Sequence, residues 1–151
     1  MSYVLILDDD PADAIILREA LLEVDPSLSI DSVDHADAAL WRITSDRNPR
    51  LLSQEVPDLV VVGIRRKDSD GCRFVRHVAS HGLPGAPPML VMSAAPCTES
   101  ERATCAGGAF CVRPKPNQYA QYKSLLRQAL GRLKPQPPRR EDQNRRRPLC
   151  V

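Results

Sequence analysis

Residues 3–11 read Tyr3-Val4-Leu5-Ile6-Leu7-Asp8-Asp9-Asp10-Pro11. Five apolar residues in a row, with no polar alternation, fit a strand buried on both faces of a parallel sheet. The run stops at three aspartates and a proline. Asp10 ahead of Pro11 reads as an N-cap followed by proline at the first helical position, where its missing N–H costs nothing. Ala14, Leu17, Leu21 and Val24 then recur at helical spacing, and Asp25-Pro26 ends the helix near Val24. Strand, acidic stop and helix make one β–α unit.

The rest of the chain repeats that pattern. Residues 28–33 predict a second strand and 36–43 a second helix carrying Trp41, expected as a packing aromatic. Residues 44–56 are polar, contain Pro49 and read as a loop. Leu59-Val60-Val61-Val62 is the strongest strand signal. A charged loop over 65–70 leads to Gly71, which opens a third helix through Phe74, Val75 and Val78, with Gly82 in the C-cap position. Residues 88–92 predict a fourth strand, 99–106 a short fourth helix and 109–112 a fifth strand. Tyr122, Leu125, Leu126, Ala129, Leu130 and Leu133 form the apolar stripe of a fifth helix. Five strands alternating with five helices imply an α/β fold, a parallel sheet covered on both faces.

The chain has 151 residues, one domain with something left over. Residues 134–151 carry six basic and two acidic residues and four of the 14 prolines. This basic stretch cannot bury enough to offset its ordering entropy, so it is expected to be a disordered tail on a domain spanning 1–133. No apolar run approaches the length of a membrane-spanning helix, and the N-terminus has no secretory pattern. The five cysteines form no Cys-x-x-Cys pair, which points to reduced thiols and a cytoplasmic location. Cys105 and Cys111, which flank Gly107-Gly108, read as small buried side chains. His77 and His81 lie four apart on the third helix, yet no third ligand accompanies them, so an exposed face is the expectation.

In an open parallel sheet, chemistry collects at the carboxyl ends of the strands. Here those ends carry Asp8 and Asp9, Ser93, and Lys115 within Pro114-Lys115-Pro116. A carboxylate pair, a hydroxyl and a lysine suit a divalent cation and a phosphoryl group. Two carboxylates about 4 Å apart repel by roughly 4 kcal/mol at an effective dielectric near 20, so a cation is expected beside them.

In these residues the chain resembles the receiver domain of bacterial response regulators, the two-component signalling family, over residues 3–131. The segment Asp8-Asp9-Asp10-Pro11-Ala12-Asp13-Ala14 is most similar to the small stand-alone receivers that accompany phytochrome-type sensor kinases. The resemblance implies the receiver (flavodoxin-like) three-layer fold, with strand order 2-1-3-4-5. It also implies that Asp8 and Asp9 hold Mg²⁺, that Ser93 is the switch hydroxyl and that Lys115 contacts the phosphoryl group.

The chain departs from the family at the acceptor. The family's third strand ends in the aspartate that takes the phosphoryl group, with a glycine eight residues later. Pro57-Asp58-Leu59-Val60-Val61-Val62 and Asp70-Gly71 fix that register on both sides, and the acceptor position is Gly63. Two residues on stands Arg65, and Val112 replaces the family's switch aromatic. The resemblance therefore implies an atypical single-domain response regulator, not an enzyme, acting through protein–protein contacts. The partners it implies are a sensor histidine kinase, a phosphotransfer protein, or a second copy through the fourth and fifth helices. Membrane is not among the expected partners, and neither is nucleic acid. Two alternatives stand beside this reading: a basic-tailed, nucleic-acid-associated regulator, and a receiver phosphorylated on a surrogate acid, Asp68 or Asp70. Both of these acids read more simply as solvated loop residues. With one carboxylate lost, Lys115 or Arg65 is expected to neutralise Asp8 and Asp9. No cofactor is expected beyond Mg²⁺ held at millimolar affinity or weaker, less than roughly 4 kcal/mol of binding.

Overall fold

The structure is a computed structural model and describes residues 2–43, 56–66, 69–81, 87–94 and 110–132. Five parallel strands, β1 (Tyr3–Leu7), β2 (Ser29–Val33), β3 (Leu59–Ile64), β4 (Met89–Ser93) and β5 (Phe110–Pro114), form one sheet in the order β2-β1-β3-β4-β5. The helices described are α1 (Pro11–Val24), α2 (Ala36–Ile43), α3 (Asp70–His81) and α4 (Tyr119–Gly131). α4 is the helix expected fifth in the chain. The expected helix over 99–106, the Gly82 cap, the loop over 44–55, Asp68, Cys97, Cys105, Cys150 and the tail over 134–151 lie outside the described residues.

Strand alternation sorts the core into two layers. Val4, Ile6, Leu59, Val61, Leu90 and Met92 pack under α1 and α4, against Leu17, Leu21 and Leu126. Leu5, Leu7, Val60, Val62, Met89 and Val91 pack under α2 and α3, against Ala39, Ile43, Phe74 and Val78. Both faces are covered over the middle of the sheet, and β1, β3 and β4 are near-continuous apolar runs there. β3 runs two residues past Val62, because Gly63 and Ile64 still pair with Met92 and Ser93.

One reading changes. Trp41, expected to pack, is 48% exposed, because Ala36, Ala39 and Ile43 already fill the inner face of α2. On α1 the expected Leu17 and Leu21 are buried with Ala20, and Ile15 and Ile16, off that stripe, face outward. His77 and His81 are exposed and stacked with ring centroids 4.0 Å apart. Cys72 is half-buried against the α2–α3 layer. Among the described residues no helix is long and apolar enough to cross a membrane.

At the amino ends of the strands a polar cluster ties β1, β2 and α2 together. The Tyr3 hydroxyl donates to Asp31 Oδ2 at 2.8 Å, and Arg42 donates to that same oxygen at 2.9 Å. Burial, with the Asp31 carboxylate next in effect, pushes the Tyr3 phenol up from 10.0 to about 12. A raised phenol stabilises the fold fully below pH 10 and loses that contribution as pH rises through about 12. Ultraviolet phenolate titration is expected to show one tyrosine with a midpoint near 12, absent in Tyr3→Phe. A Tyr3 signal at the ordinary value would mean the cluster does not hold in solution.

Candidate functional site

The three aspartates after β1 diverge because strand alternation and helix capping ask different things of them. Asp8 continues the row of Val4 and Ile6 toward α1 and α4, so its side chain is carried inward. It is 2% exposed, while Asp9 faces solvent. Asp10 is the N-cap of α1. One of its oxygens accepts the Ala12 N–H at 2.9 Å and the other pairs with Arg65 at 3.0 Å.

Register places Asp8 opposite the end of β3. Leu7 pairs with Val62, so the next residues, Asp8 and Gly63, face one another on the same side of the sheet. They meet closely. A Cβ at Gly63 would lie 2.2 Å from Asp8 Oδ2 and 2.8 Å from Asp8 Cγ. The Asp8 carboxylate thus fills the room that a side chain at position 63 would use. Gly71 meets a similar limit from the other face. A Cβ there would stand 2.6 Å from the Gly63 carbonyl oxygen and 2.9 Å from Val62 Cγ1, so only glycine lets α3 lie this close to β3.

Lys115 reaches the pocket from the turn after β5, where its N–H is held by the Ser93 carbonyl at 2.8 Å. Its ammonium is 3.9 Å from Asp8 Oδ2, but its direct partner is Asp13, in the first turn of α1. Asp8 Oδ1 accepts the Asp10 N–H at 2.9 Å, whereas Asp8 Oδ2 is buried with no hydrogen-bond partner. Burial pushes the Asp8 carboxyl above the usual carboxylate range, while the Asp10 N–H and the Lys115 charge pull it back. Tyr122 of α4 is 8% exposed. Its phenol is raised first by burial, and it also feels the charges of Lys115, Asp13 and Asp8, which places it against the same group.

The sequence candidates are therefore partly assembled. Asp8, Gly63 and Lys115 come together. Ser93 is buried at the same end of the sheet, paired in register with Ile64 and Pro114. The expected charge substitution is corrected in its partners: Arg65 goes to Asp10, not to Asp8 or Asp9, because Asp10 is turned out toward the β3 loop by its capping role. Lys115 is nearest to Asp13, a residue the sequence reading passed over. Asp70, a proposed surrogate acceptor, is engaged structurally. Its Oδ1 accepts the Ala36 N–H at 3.1 Å, capping α2, and lies 3.7 Å from Arg73.

A resident Mg²⁺ fits this donor set poorly. The ion needs several oxygens in octahedral array. The side-chain position at 63 supplies none, Asp10 is taken by Arg65, and an ammonium already stands near the buried Asp8 carboxylate. Among the described residues no group of three or more His, Cys, Asp or Glu side chains is arranged to hold a metal.

No protein-family model and no curated protein matches the chain. Solved structures do match. Response regulator RPA3017 in red light signalling of R. palustris is 19% identical, with a TM-score of 0.66 over 85% of this chain and 91% of that one. The phosphorylated cyanobacterial phytochrome response regulator RcpA is 17% identical, with a TM-score of 0.65 over 83% of this chain and 89% of that one. The Mn²⁺-bound form of response regulator Rcp1 is 14% identical, with a TM-score of 0.64 over 84% and 90%. With five parallel strands in the order 2-1-3-4-5 and helices on both faces, the chain has the flavodoxin-like fold of response-regulator receiver domains.

Proposed function

We propose that the chain is an atypical receiver-domain response regulator of two-component signalling, one that binds a protein partner and takes no phosphoryl group at position 63. The observation that carries this reading is the Asp8 carboxylate lying in the space a side chain at Gly63 would need. An aspartyl phosphate requires a carboxylate in line with the donor, with a metal and a lysine neutralising the phosphoryl oxygens. Glycine offers no nucleophile. Lys115 is held by Asp13, and Asp8, Asp9, Asp10 and Asp13 outnumber the cations around them. A phosphoryl group entering there meets more negative charge than positive.

The solved neighbours include a phosphorylated regulator and a Mn²⁺-bound one, which supports the signalling context. The partner reading rests on α1. Ile15, Ile16 and Leu22 are 57%, 36% and 37% exposed on the helix that begins at the pocket. Apolar side chains gathered on one exposed helix fit a protein contact, here with a sensor kinase or phosphotransfer protein. Ile15→Lys is expected to abolish retention of that partner from native lysate while leaving the fold intact.

Beryllofluoride or acetyl phosphate with Mg²⁺ is expected to leave the amide NMR spectrum and the intact mass unchanged. Shifts centred on Ser93, or a phosphorylated Asp68 or Asp70, would overturn the proposal. Calorimetric titration is expected to give Mg²⁺ affinity of about millimolar or weaker. Tight binding that Asp9→Asn removes would mean that a working metal site is present.

A further inference from the structure

Two of the three histidines in the chain, His77 and His81, stand on the last two turns of α3. β3 ends at Ile64 and α3 starts at Asp70, so the helix runs back along the sheet. At 1.5 Å per residue it carries these histidines roughly 9–15 Å along its axis from Gly71, the residue that packs on Gly63. Helical spacing sets the two imidazoles on one exposed stripe. Their rings are stacked, with centroids 4.0 Å apart and planes 19° from parallel.

Three features fit the pair to a metal ion. A carbonyl only accepts, so the 3.0 Å contact between His81 Nδ1 and the His77 carbonyl is an N–H donation. In the neutral ring this leaves the lone pair on Nε2, and a backbone carbonyl on the other ring nitrogen is a usual way to orient a metal-binding histidine. Two cis nitrogens at about 2.1 Å from one ion lie about 3 Å apart. Rings with centroids 4.0 Å apart reach that spacing by small side-chain rotations. His81 is also the last residue of α3, and the carboxyl end of a helix favours a cation. The surroundings narrow the choice of ion. Residues 71–81 contain no Asp or Glu. Asp70, at the opposite end of the helix, is engaged with the Ala36 N–H and Arg73. Cys72 packs against the inner α2–α3 layer, and Arg76 projects about 100° round the helix from His77.

We propose that His77 and His81 together bind one late first-row divalent ion, Cu²⁺ or Ni²⁺, at an exchangeable surface site. Imidazole suits these ions, and two cis nitrogens with water supply the tetragonal N and O positions they prefer. Mg²⁺ and Ca²⁺ want oxygen ligands and find no carboxylate on this stretch. A structural Zn²⁺ takes four protein ligands, and among the described residues no group of three or more His, Cys, Asp or Glu is gathered. Two ligands from the chain leave the other positions to water, so the ion exchanges. The site stands apart from the pocket at Gly63, and the reading there does not bear on it.

The test titrates Ni²⁺, Cu²⁺ and Zn²⁺, in separate runs, into the full chain. Ni²⁺ is expected to bind one ion per chain and to broaden the amide NMR signals of residues 76–81 first. Cu²⁺ should bind more tightly than either Ni²⁺ or Zn²⁺, with the hyperfine pattern of two imidazole nitrogens in its electron paramagnetic resonance spectrum. His77→Gln and His81→Gln, both at exposed positions, should each weaken Ni²⁺ binding at least about tenfold, because the second imidazole no longer adds to the first on the same ion. His35→Gln removes the remaining histidine and should change nothing. The proposal is overturned by Ni²⁺ binding that survives both α3 variants, that needs His35, or that centres on the amino terminus or a cysteine. One ion per two chains, or no saturable binding at millimolar Ni²⁺, would overturn it equally.

Discussion

Gly63→Asp is expected to destabilise the chain by about 3 kcal/mol in metal-free buffer, a fall in melting temperature on the order of 10 °C. The reason is steric and electrostatic together. The new Cβ would lie 2.2 Å from Asp8 Oδ2, so the Asp8 carboxylate must swing away, straining the hydrogen bond it accepts from the Asp10 N–H. A second carboxylate then enters a space where burial already pushes Asp8 above the usual range. Mg²⁺ should return part of the loss, because the variant regains the third carboxylate that the ion lacks in the parent chain. Thermal melts in EDTA and in Mg²⁺ decide it. A variant as stable as the parent in EDTA would show that Asp8 does not occupy the acceptor space. Stability rescued by Mg²⁺ is not switching, however: Lys115 remains on Asp13 and Arg65 on Asp10. Val112 also stands where the family's switch aromatic would be, so acetyl phosphate should label this variant poorly.

What the sequence made legible was set by local rules. Strand alternation and apolar runs placed β1 and β3, and with them Asp8 and Gly63 at the carboxyl ends of those strands. Capping rules assigned Asp10 to the first turn of α1, and the Ala12 N–H bond is that cap. The unread part depends on how helices roll over the sheet. Asp13 meets Lys115 across 102 positions of chain, a contact set by the seating of α1 beside α4. Reading Asp8 and Asp9 as one pair left out their different burial: Asp8 is buried and Asp9 faces solvent, and Lys115 and Asp13 act on the Asp8 carboxyl together with Asp9. Gly63 was legible as a missing nucleophile. Its second consequence, room for a neighbour's carboxylate, needed the register of β1 against β3. Trp41 failed for a related reason: on an eight-residue helix two alanines and an isoleucine already cover the core, and composition alone does not say which face the largest side chain takes.

Lys115→Met is expected to cost about 3–5 kcal/mol at neutral pH, the loss that follows when one partner of a buried ion pair is removed. The Lys115 side chain is 12% exposed, Asp8 is fully buried at its carboxylate, and Asp13 is 22% exposed, so water replaces little of the lost attraction. The sign of the pH dependence follows from Asp8. Its carboxyl is raised in the folded chain above the ordinary 3.8, chiefly by burial. Such a group contributes stability that is complete below 3.8 and lost as pH rises through the folded value. Removing the lysine, which holds that value down, raises it further. The difference between variant and parent should therefore be large at neutral pH and shrink as pH approaches 3.8, where Asp8 carries a proton in both chains. Asp31 works the other way: its carboxyl is lowered by the Tyr3 hydroxyl, so its contribution fades on acidification. That loss is common to parent and variant and cancels in the difference. Urea midpoints across this range are the measurement, with Asp13→Asn in the Lys115→Met background as a second arm. Restored stability in the double variant would assign the cost to Asp13, and a cost unchanged by either Asp13→Asn or acid would show that packing of the lysine stem, not its charge, holds the turn after β5 in place.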